Sequence, residues 1–222
     1  MPLPLSIAII PDGARRWARL SGVPLRHSYD LTFSKLLEIL LTLKSADVSE
    51  AHVYLLSTFN LSRSDDDLLP CIASEIAFLR QLCLRGMLAG VHGNLSVVAD
   101  RLDLGADYQS IAEQATHSAG ELAVHTYVGY SFEWELTTKL ERLYRKHGLS
   151  DVTSIVQSLA RDKIDFLFRS GGSDTLSDFL PIQLRYASLF FTPRLFNELN
   201  GADVCNAVEA FKRSRPERRY GR

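Results

Sequence analysis

Short apolar segments that alternate with helical segments constrain the fold of this chain more than any other feature. Each apolar segment is rich in aliphatic and aromatic residues and is apolar on both faces, as is typical of strands buried within a parallel sheet. The predicted strands are residues 6–10, 51–56, 95–99, 121–128, 164–168 and 189–192. The segments between them would cover both faces of the sheet. We therefore predict an α/β fold with a mostly parallel central sheet flanked by helices.

The segments between the strands carry helix signals. The predicted helices are residues 16–20, 32–43, 64–84, 108–119, 132–147, 151–160 and 203–213. The third begins at Ser64, a good N-cap residue, and its first turn holds Asp65, Asp66 and Asp67. Pro70 should kink this helix or reset its start. We interpret the acidic run as a helix start and not as a metal site, because the sequence offers no second acidic patch to face it.

Composition narrows the class of protein. The 222 residues suffice for one sizeable α/β core, so we expect one domain over residues 1–222. The formal net charge of −1 gives no reason to expect nucleic acid as a partner. Cys71, Cys83 and Cys205 fit neither a disulfide framework nor a metal knuckle, which favours a reduced, cytoplasmic setting. We expect no transmembrane segment, because no apolar run is long enough to span a bilayer.

The turn after the first strand has the residues of an anion site. The strand ends at Pro11, and Asp12, Gly13, Arg15 and Arg16 lead into a helical segment. Backbone N–H groups at a helix N-terminus attract phosphate, and Gly13 allows a close approach. The arginines could neutralise the phosphate, and Asp12 could hold a divalent cation that the same phosphate shares. The alternative is an ordinary Asp–Gly turn with a solvated arginine pair.

Two further polar clusters follow buried strands in the same way. The three clusters are residues 12–16, 57–63 and 169–177. Because the carboxyl ends of parallel strands share one edge of the sheet, we expect the clusters to converge there. Arg16, Arg63 and Arg169 would then meet at one site. The sequence thus predicts a ligand that carries phosphate groups.

Four short motifs are spread in order along nearly the whole chain. In chain order they are Asp12-Gly13 with Arg16-Trp17-Ala18, then Ser57, Asn60 and Arg63, then Arg169-Ser170-Gly171-Gly172 with Ser177 and Phe179, and lastly Arg218-Arg219-Tyr220-Gly221. They resemble the signatures of the cis-prenyltransferases, the family of undecaprenyl diphosphate synthase. The resemblance implies a parallel sheet with a hydrophobic tunnel, a homodimer, and Mg²⁺-dependent chemistry on allylic isoprenoid diphosphates.

The resemblance also implies roles for individual residues. Asp12 would hold Mg²⁺, and Ser57 and Asn60 would assist at the reacting centre as catalytic residues. The residues implied to bind the allylic diphosphate are Gly13, Ala14, Arg15, Arg16 and Arg63. Those implied to grip a second diphosphate are Arg169 and Ser177, and those implied to reach the site across a dimer are Arg219 and Gly221.

Several positions depart from the ordinary family pattern. Ala14 and Arg15 replace Asn-Gly, and Tyr29 replaces a histidine. These forms resemble the irregular branch represented by cyclolavandulyl and lavandulyl diphosphate synthases, which join two dimethylallyl units head-to-middle. Tyr29 is accordingly a candidate phosphate contact. Thr175 and Ser188 replace an arginine and a metal-directed glutamate of the second diphosphate site, which weakens that site.

We therefore expect a Mg²⁺-dependent enzyme that couples short allylic diphosphates in the irregular manner, with possible cyclisation, in terpenoid biosynthesis. The alternative is a noncanonical terpene synthase that ionises and cyclises a single geranyl or farnesyl diphosphate. A regular short-chain cis-prenyl diphosphate synthase is a third reading, less favoured. An accessory, non-catalytic subunit would have lost Asp12, which this chain keeps.

Overall fold

Six strands form one sheet in which every pairing is parallel. In chain order the strands are β1 (Leu5–Ile10), β2 (Val48–Tyr54), β3 (Val91–Val97), β4 (Leu122–Val128), β5 (Phe166–Arg169) and β6 (Ser188–Phe191). Their order across the sheet is β3-β4-β2-β1-β5-β6. This computed structural model describes residues 5–89, 91–97, 108, 110–111, 122–147, 153, 157 and 163–214. The predicted fold class is confirmed.

Five helices connect or flank these strands within the described residues. They are α1 (Ala14–Ser21), α2 (Leu25–Leu43), α3 (Asp65–Ala89), α4 (Phe132–His147) and α5 (Gly201–Ser214). Helix α1 ends at Gly22, whose positive φ of 64° gives a left-handed C-cap. Within the part of the chain that the structure describes, no helix is both long and apolar enough to cross a bilayer.

The boundaries of several elements differ from the predicted ones. Helix α2 begins at Leu25, not at residue 32, because Pro24 precedes its first turn and presets the backbone there. Helix α3 runs unbroken through Pro70, where a proline removes a single N–H donor from the ladder. Strand β2 starts at Val48 and stops at Tyr54, and β3 ends at Val97. The helices predicted at 108–119 and 151–160 lie largely outside the described residues.

The two faces of the sheet have separate cores. Side chains of α2, α3 and α5 cover the face that carries Ile7, Ile9 and Val53. The opposite face carries Ala8 and Tyr54 and packs against Tyr130 and Phe179, among others. Burial of these apolar surfaces is the main driving force for folding. The polar ends of β1, β2 and β5 project beyond both cores at one edge.

Glu75 is a carboxyl group buried inside the first of these cores. It is fully buried on α3, and one of its oxygens accepts a hydrogen bond from the Tyr108 hydroxyl at 2.9 Å. The other oxygen has no hydrogen-bond partner among the described residues. Burial raises the pKa of Glu75 to about 8, since the charged form is poorly solvated there. Glu75 is therefore a neutral acid at neutral pH.

We expect Glu75 to make the fold less stable as the pH rises. The pKa of Glu75 is higher in the folded chain than in the unfolded one. Its contribution to the free energy of unfolding is therefore fully present below the ordinary glutamate pKa and is lost as the pH rises through about 8. The substitution Glu75→Gln should remove this dependence, because an amide does not titrate. Urea denaturation between pH 5 and pH 9 measures it, with the exposed Glu38→Gln as the control. Equal pH slopes for the wild type and Glu75→Gln would contradict the assignment.

Candidate active site

The carboxyl ends of β1, β2 and β5 open into one cavity of about 790 Å³. The structure brings together all the predicted site residues that it describes. These lining residues are Asp12, Gly13, Ala14, Arg15, Arg16, Tyr29, Ser57, Asn60, Arg63, Arg169 and Ser177. The other two predicted residues, Arg219 and Gly221, lie outside the described residues. The predicted convergence of the three polar clusters is thus observed, while the roles of individual residues stay predictions.

The turn from β1 into α1 presents the helix N-terminus to this cavity. Gly13 has a φ of 117°, which L side chains rarely adopt, and a Cβ there would lie 2.8 Å from Leu195 Cδ2. Only glycine fits this turn without strain. The first-turn N–H groups of α1 have no partner within the helix, and Ala14, Arg15 and Arg16 contribute three of them. The turn is therefore built to accept an anion.

Asp12 lies at the centre of an ion-pair network. Its Oδ1 is 3.3 Å from Arg16 Nη2, and its Oδ2 is 3.1 Å from Arg169 Nη2. The Ser170 hydroxyl donates to the Asp12 carbonyl at 2.9 Å and accepts from the Asp12 N–H at 3.0 Å. A Cβ at Gly171 would come within 2.6 Å of Arg16 Nη2, so this position leaves room for the arginine. Backbone and side chain of Asp12 are thus both fixed.

Arg169 is held on more than one side. The residue is only 5% exposed, and its Nη1 donates to Ser177 Oγ at 2.8 Å and to the Thr175 carbonyl at 2.6 Å. Its Nε is buried without a hydrogen-bond partner among the described residues. A buried guanidinium needs several acceptors, and Asp12 supplies the charged one. Arg169 and Ser177 therefore contact each other directly.

Arg15 and Arg63 occupy the side of the cavity next to α3. Arg15 Nη1 pairs with Asp67 Oδ2 at 3.1 Å, and both side chains are about half exposed. Arg63 Nη1 donates to the Tyr29 hydroxyl at 3.5 Å. Burial raises the pKa of Tyr29, so its hydroxyl stays neutral. Tyr29 thus positions Arg63 and offers a hydroxyl to the cavity.

Ser57 and Asn60 cap the short helical turn Thr58–Ser62 after β2. The Asn60 N–H donates to Ser57 Oγ at 3.0 Å, and the Ser57 N–H donates to Asn60 Oδ1 at 3.3 Å. Such a reciprocal capping box fixes both side chains. The capping bonds use the Ser57 Oγ as an acceptor and the Asn60 Oδ1 as an acceptor, so neither consumes a side-chain proton. The pair is therefore positioned at the cavity by the backbone that it caps.

The inner end of the cavity, on the side of α2 and α3, is lined by buried and largely apolar side chains. Tyr29, Phe33 and Cys71 line it from α2 and α3. Phe33 in turn stacks on Phe78, which does not itself line the cavity, with the ring centroids 5.4 Å apart. A polar mouth that leads to an apolar end suits a ligand with a charged head and a hydrocarbon tail.

Residues at the mouth include some that the sequence analysis did not single out. Tyr130, Ser131 and Glu133 follow β4 and line the cavity from the second core. Asp178 also lines it, and its Oδ2 accepts a hydrogen bond from the Phe132 N–H at 2.7 Å. The signal for the first three was their place directly after a predicted strand, the same rule that identified the other clusters.

The structure separates the two weakened positions of the second diphosphate site. Thr175 lies beside Arg169 and offers it a carbonyl oxygen. Ser188 instead begins β6 opposite Phe166, whereas Arg169 is paired with Phe191. Three residues of strand separate these two pairs, which is about 10 Å. Ser188 is not among the residues that line the cavity of its own chain.

Sequence comparison shows which known proteins this chain is similar to. A family model described as "Putative undecaprenyl diphosphate synthase" matches residues 10–221. The chain is 29% identical to the short-chain Z-isoprenyl diphosphate synthase of Mycobacterium bovis and 28% identical to the (2Z,6E)-farnesyl diphosphate synthase of Mycobacterium tuberculosis. Each alignment covers 99% of this chain and 88% of the relative.

Solved structures show the same fold. The lavandulyl diphosphate synthase of Lavandula x intermedia, in complex with dimethylallyl diphosphate, superimposes with a TM-score of 0.81 at 22% identity. The superposition covers 96% of both chains. A probable undecaprenyl diphosphate synthase of Campylobacter jejuni superimposes over 100% of both chains with a TM-score of 0.75, also at 22% identity.

We expect the substitution Gly13→Ala to damage both stability and anion binding. The added Cβ meets Leu195 in a backbone conformation that alanine rarely adopts. Gly22→Ala is the matched control, because Gly22 also has a positive φ but has nothing within 4 Å of the added Cβ. The control should cost about 1–2 kcal/mol of unfolding free energy, and Gly13→Ala should cost more.

Urea denaturation measures the cost, and isothermal titration with inorganic pyrophosphate measures the anion site. Pyrophosphate should bind Gly22→Ala as it binds the wild type and should bind Gly13→Ala at least tenfold more weakly. Unchanged pyrophosphate affinity in a folded Gly13→Ala would show that the α1 turn is not the anion site.

Proposed function

This chain belongs to the undecaprenyl diphosphate synthase family of prenyltransferases, and we propose that it couples short allylic isoprenoid diphosphates with the help of Mg²⁺. It is a prenyltransferase of the cis-prenyl diphosphate synthase type. The observation that carries the proposal is the shape of one cavity. Arginines and helix N–H groups line its mouth, and the buried aromatic side chains Tyr29 and Phe33 line its inner end.

The diphosphate of the substrate that ionises lies at the α1 turn. The N–H groups of Ala14 and Arg15, together with Arg16 and Arg63, surround this position with positive charge. When the allylic C–O bond breaks, negative charge grows on the leaving diphosphate. Donors that are already in place stabilise that charge without reorganising, which lowers the barrier.

The donor set at the mouth fits a hard divalent cation. Asp12 supplies a carboxylate that is 34% exposed, and Mg²⁺ in such sites is bound through one or two carboxylates, substrate phosphates and waters. Asp12 is the residue that would hold it. The ion would neutralise charge on the diphosphate as a Lewis acid. Arg16 and Arg169, which pair with Asp12 in the free chain, would then be available to phosphate oxygens.

The carbon chemistry takes place between the mouth and the aromatic end. Breaking the C–O bond of one allylic diphosphate leaves an allylic cation, which Tyr29, Phe33 and Cys71 shield from water. The double bond of a second unit attacks this cation and forms the new C–C bond. The resulting cation loses a proton, so the products are the coupled diphosphate, pyrophosphate and a proton. The Ser57 hydroxyl and the Asn60 amide assist as polar groups placed near the reacting carbons.

We propose irregular, head-to-middle coupling as the mode of joining, with cyclisation of the coupled cation as a possible continuation in terpenoid biosynthesis. Two features of the chain support it: the Asp-Gly-Ala-Arg-Arg-Trp form of residues 12–17, and Tyr29 beside Arg63. Thr175 is uncharged and contacts Arg169 through its carbonyl, so this position adds no positive charge for a second diphosphate, which favours the terpene synthase alternative. Regular Z-coupling is the second candidate, favoured by the names of the mycobacterial relatives.

Further parts of the proposal concern assembly and setting. We propose that residues 1–222 form one cis-prenyltransferase domain that acts as a homodimer. The edge strand β6 supports this, because Leu189 and Phe190 are 47% and 40% exposed on it. Arg219 and Gly221 would contribute to the site of the partner. The cysteines Cys71, Cys83 and Cys205 are free thiols, which suits a reduced cytoplasmic setting.

Product analysis tests the function directly. The purified chain with Mg²⁺ is incubated with dimethylallyl diphosphate alone, with added isopentenyl diphosphate, and with geranyl or farnesyl diphosphate alone. Products are dephosphorylated and identified by gas chromatography and mass spectrometry. A branched C10 product from dimethylallyl diphosphate alone supports irregular coupling, a linear Z-product that needs isopentenyl diphosphate supports regular coupling, and a cyclic product from one longer substrate supports the terpene synthase alternative.

Two variants link the activity to the cavity. Asp12→Asn should lower kcat/KM at least about a hundredfold, as loss of a preorganised electrostatic group typically does. Arg63→Gln should lower it by about 10- to 150-fold, the loss of one charge-assisted hydrogen bond of about 1.5–3 kcal/mol. Asp47→Asn is the matched control, since Asp47 is 94% exposed and does not line the cavity. No turnover of any substrate, or full activity of Asp12→Asn, would refute the proposal.

Phe78 should limit the length of the tail. Its ring stacks on Phe33 at the inner end, so Phe78→Ala opens space behind the cavity. We expect the variant to accept longer allylic substrates or to release longer products, at a cost of about 3–5 kcal/mol in stability. Product analysis at a temperature where circular dichroism shows the variant folded makes the comparison. Tyr144→Ala, at a 60% exposed position of α4 that does not line the cavity, is the control and should leave product length unchanged.

A further inference from the structure

A second group of ligating side chains lies on the sheet itself, away from the cavity. Glu50 and His52 are two residues apart on β2 and therefore point to the same face. His125 is the register partner of His52 on β4. One ligand atom from each of the three lies within 4.8 Å of the others. We propose that Glu50, His52 and His125 form a binding site for a Zn²⁺-like divalent metal ion.

The spacing of the ligand atoms suits a four-coordinate ion. Glu50 Oε2 is 3.7 Å from His52 Nε2. Ligand atoms about 2.1 Å from a tetrahedral ion are about 3.4 Å apart, so small side-chain rotations close the site. Adjacent positions of a parallel ladder hold the three Cα atoms in place. Two imidazoles and one carboxylate, with a fourth position for water, are a ligand set that zinc sites use.

The ring of His52 is oriented by a hydrogen bond, and its second nitrogen is buried without one. It is only 4% exposed, and its Nδ1 is 2.9 Å from the Tyr127 hydroxyl. When Nδ1 donates its proton to that hydroxyl oxygen, Nε2 presents a lone pair on the side of Glu50. Nε2 is buried and has no hydrogen-bond partner among the described residues. A buried polar atom of this kind calls for a partner, and a metal ion on Glu50 and His125 would supply it.

A simple charge pair explains the cluster less well. A protonated His52 would sit 3.7 Å from Glu50, beyond hydrogen-bond distance. It would also face the ring of His125, which stacks on it with the centroids 4.7 Å apart. The Glu50 carboxylate oxygen lies on the same side as His52 Nε2, so a cation between them would contact both atoms. Imidazole ligands favour zinc, cobalt or nickel over Mg²⁺.

The ion has a route to this site from solvent. The side chain of Glu50 is 46% exposed, and His125 is half-buried. The ligands come from β2 and β4, so an ion bound there would join the two strands and stabilise the sheet by the free energy of binding. The site differs in ligand chemistry from the mouth of the cavity, where a carboxylate and arginines meet. The two ions are therefore distinguishable by experiment.

Cobalt titration of the whole, untagged chain tests the proposal. After treatment with EDTA and its removal, the protein is titrated with Co²⁺ and with Zn²⁺. We expect one equivalent of Co²⁺ to give the intense visible absorption of a four-coordinate nitrogen and oxygen site, and Zn²⁺ to displace it. Zn²⁺ should also raise Tm. Glu50→Gln and His125→Gln should each weaken binding at least tenfold, and both positions are accessible enough to tolerate the change.

Two further variants make the result decisive. Tyr127→Phe removes the group that orients His52 and should weaken Co²⁺ binding about tenfold while leaving the ligands in place. Asp12→Asn should leave Co²⁺ absorption and the Zn²⁺ shift in Tm unchanged. The proposal is overturned if the wild type shows no stoichiometric Co²⁺ absorption, or if Glu50→Gln and His125→Gln bind Co²⁺ as the wild type does. Loss of the signal in Asp12→Asn alone would assign the ion to the cavity and equally overturn it.

Discussion

The contact on which the functional edge depends is the ion pair between Asp12 and Arg169. It joins the carboxyl ends of β1 and β5, and Ser170 binds the backbone of Asp12 on both sides of the same contact. Arg169 is almost fully buried, so its charge is stable only while acceptors surround it. A diphosphate that binds Arg169 must replace those acceptors. The diphosphate and a new partner for the Asp12 carboxylate therefore have to arrive together.

This requirement connects the two halves of the cavity. Arg16 also pairs with Asp12, and its guanidinium occupies the space that a side chain at position 171 would need. One carboxylate thus holds two arginines that would otherwise repel each other. The free chain thus keeps Arg16 and Arg169 paired with a carboxylate next to the proposed phosphate site. Because Asp12 partly neutralises both arginines, the fold can accommodate their positive charges without a ligand.

Much of the fold could be predicted because its main signal is local. Strands apolar on both faces, separated by helical segments, leave few arrangements besides a covered parallel sheet. The element boundaries were less predictable. Helix α2 begins at Leu25 because Pro24 starts its first turn, although residues 25–31 lack the dense apolar pattern of the rest of the helix. Apolar periodicity misses such a start, because the proline that marks it lies outside the apolar pattern.

The site was predictable as far as each cluster followed a strand. Asp12, Ser57 and Arg169 all lie where that rule puts them. The partners of each residue were not predictable, because hydrogen bonds such as that from Arg169 to Thr175 depend on how a loop folds back. The His52 and His125 pair was invisible for the same reason. The two are 73 residues apart, and only the strand register of β2 and β4 makes them neighbours.

The two ends of the cavity bear on two different kinds of specificity, namely tail length and the mode of coupling. In the proposed function, the stacked Phe33 and Phe78 at the inner end would set a steric limit, so that tail length would depend on packing between α2 and α3. At the mouth, the regiochemistry of coupling would depend on where the second diphosphate is held relative to the cation, and hence on Arg169 and its neighbours. Tyr29 joins the two ends, because its ring stacks on Phe33 and its hydroxyl accepts a hydrogen bond from Arg63. A substitution among the stacked rings can therefore shift Arg63, so tail length and coupling mode are linked through Tyr29.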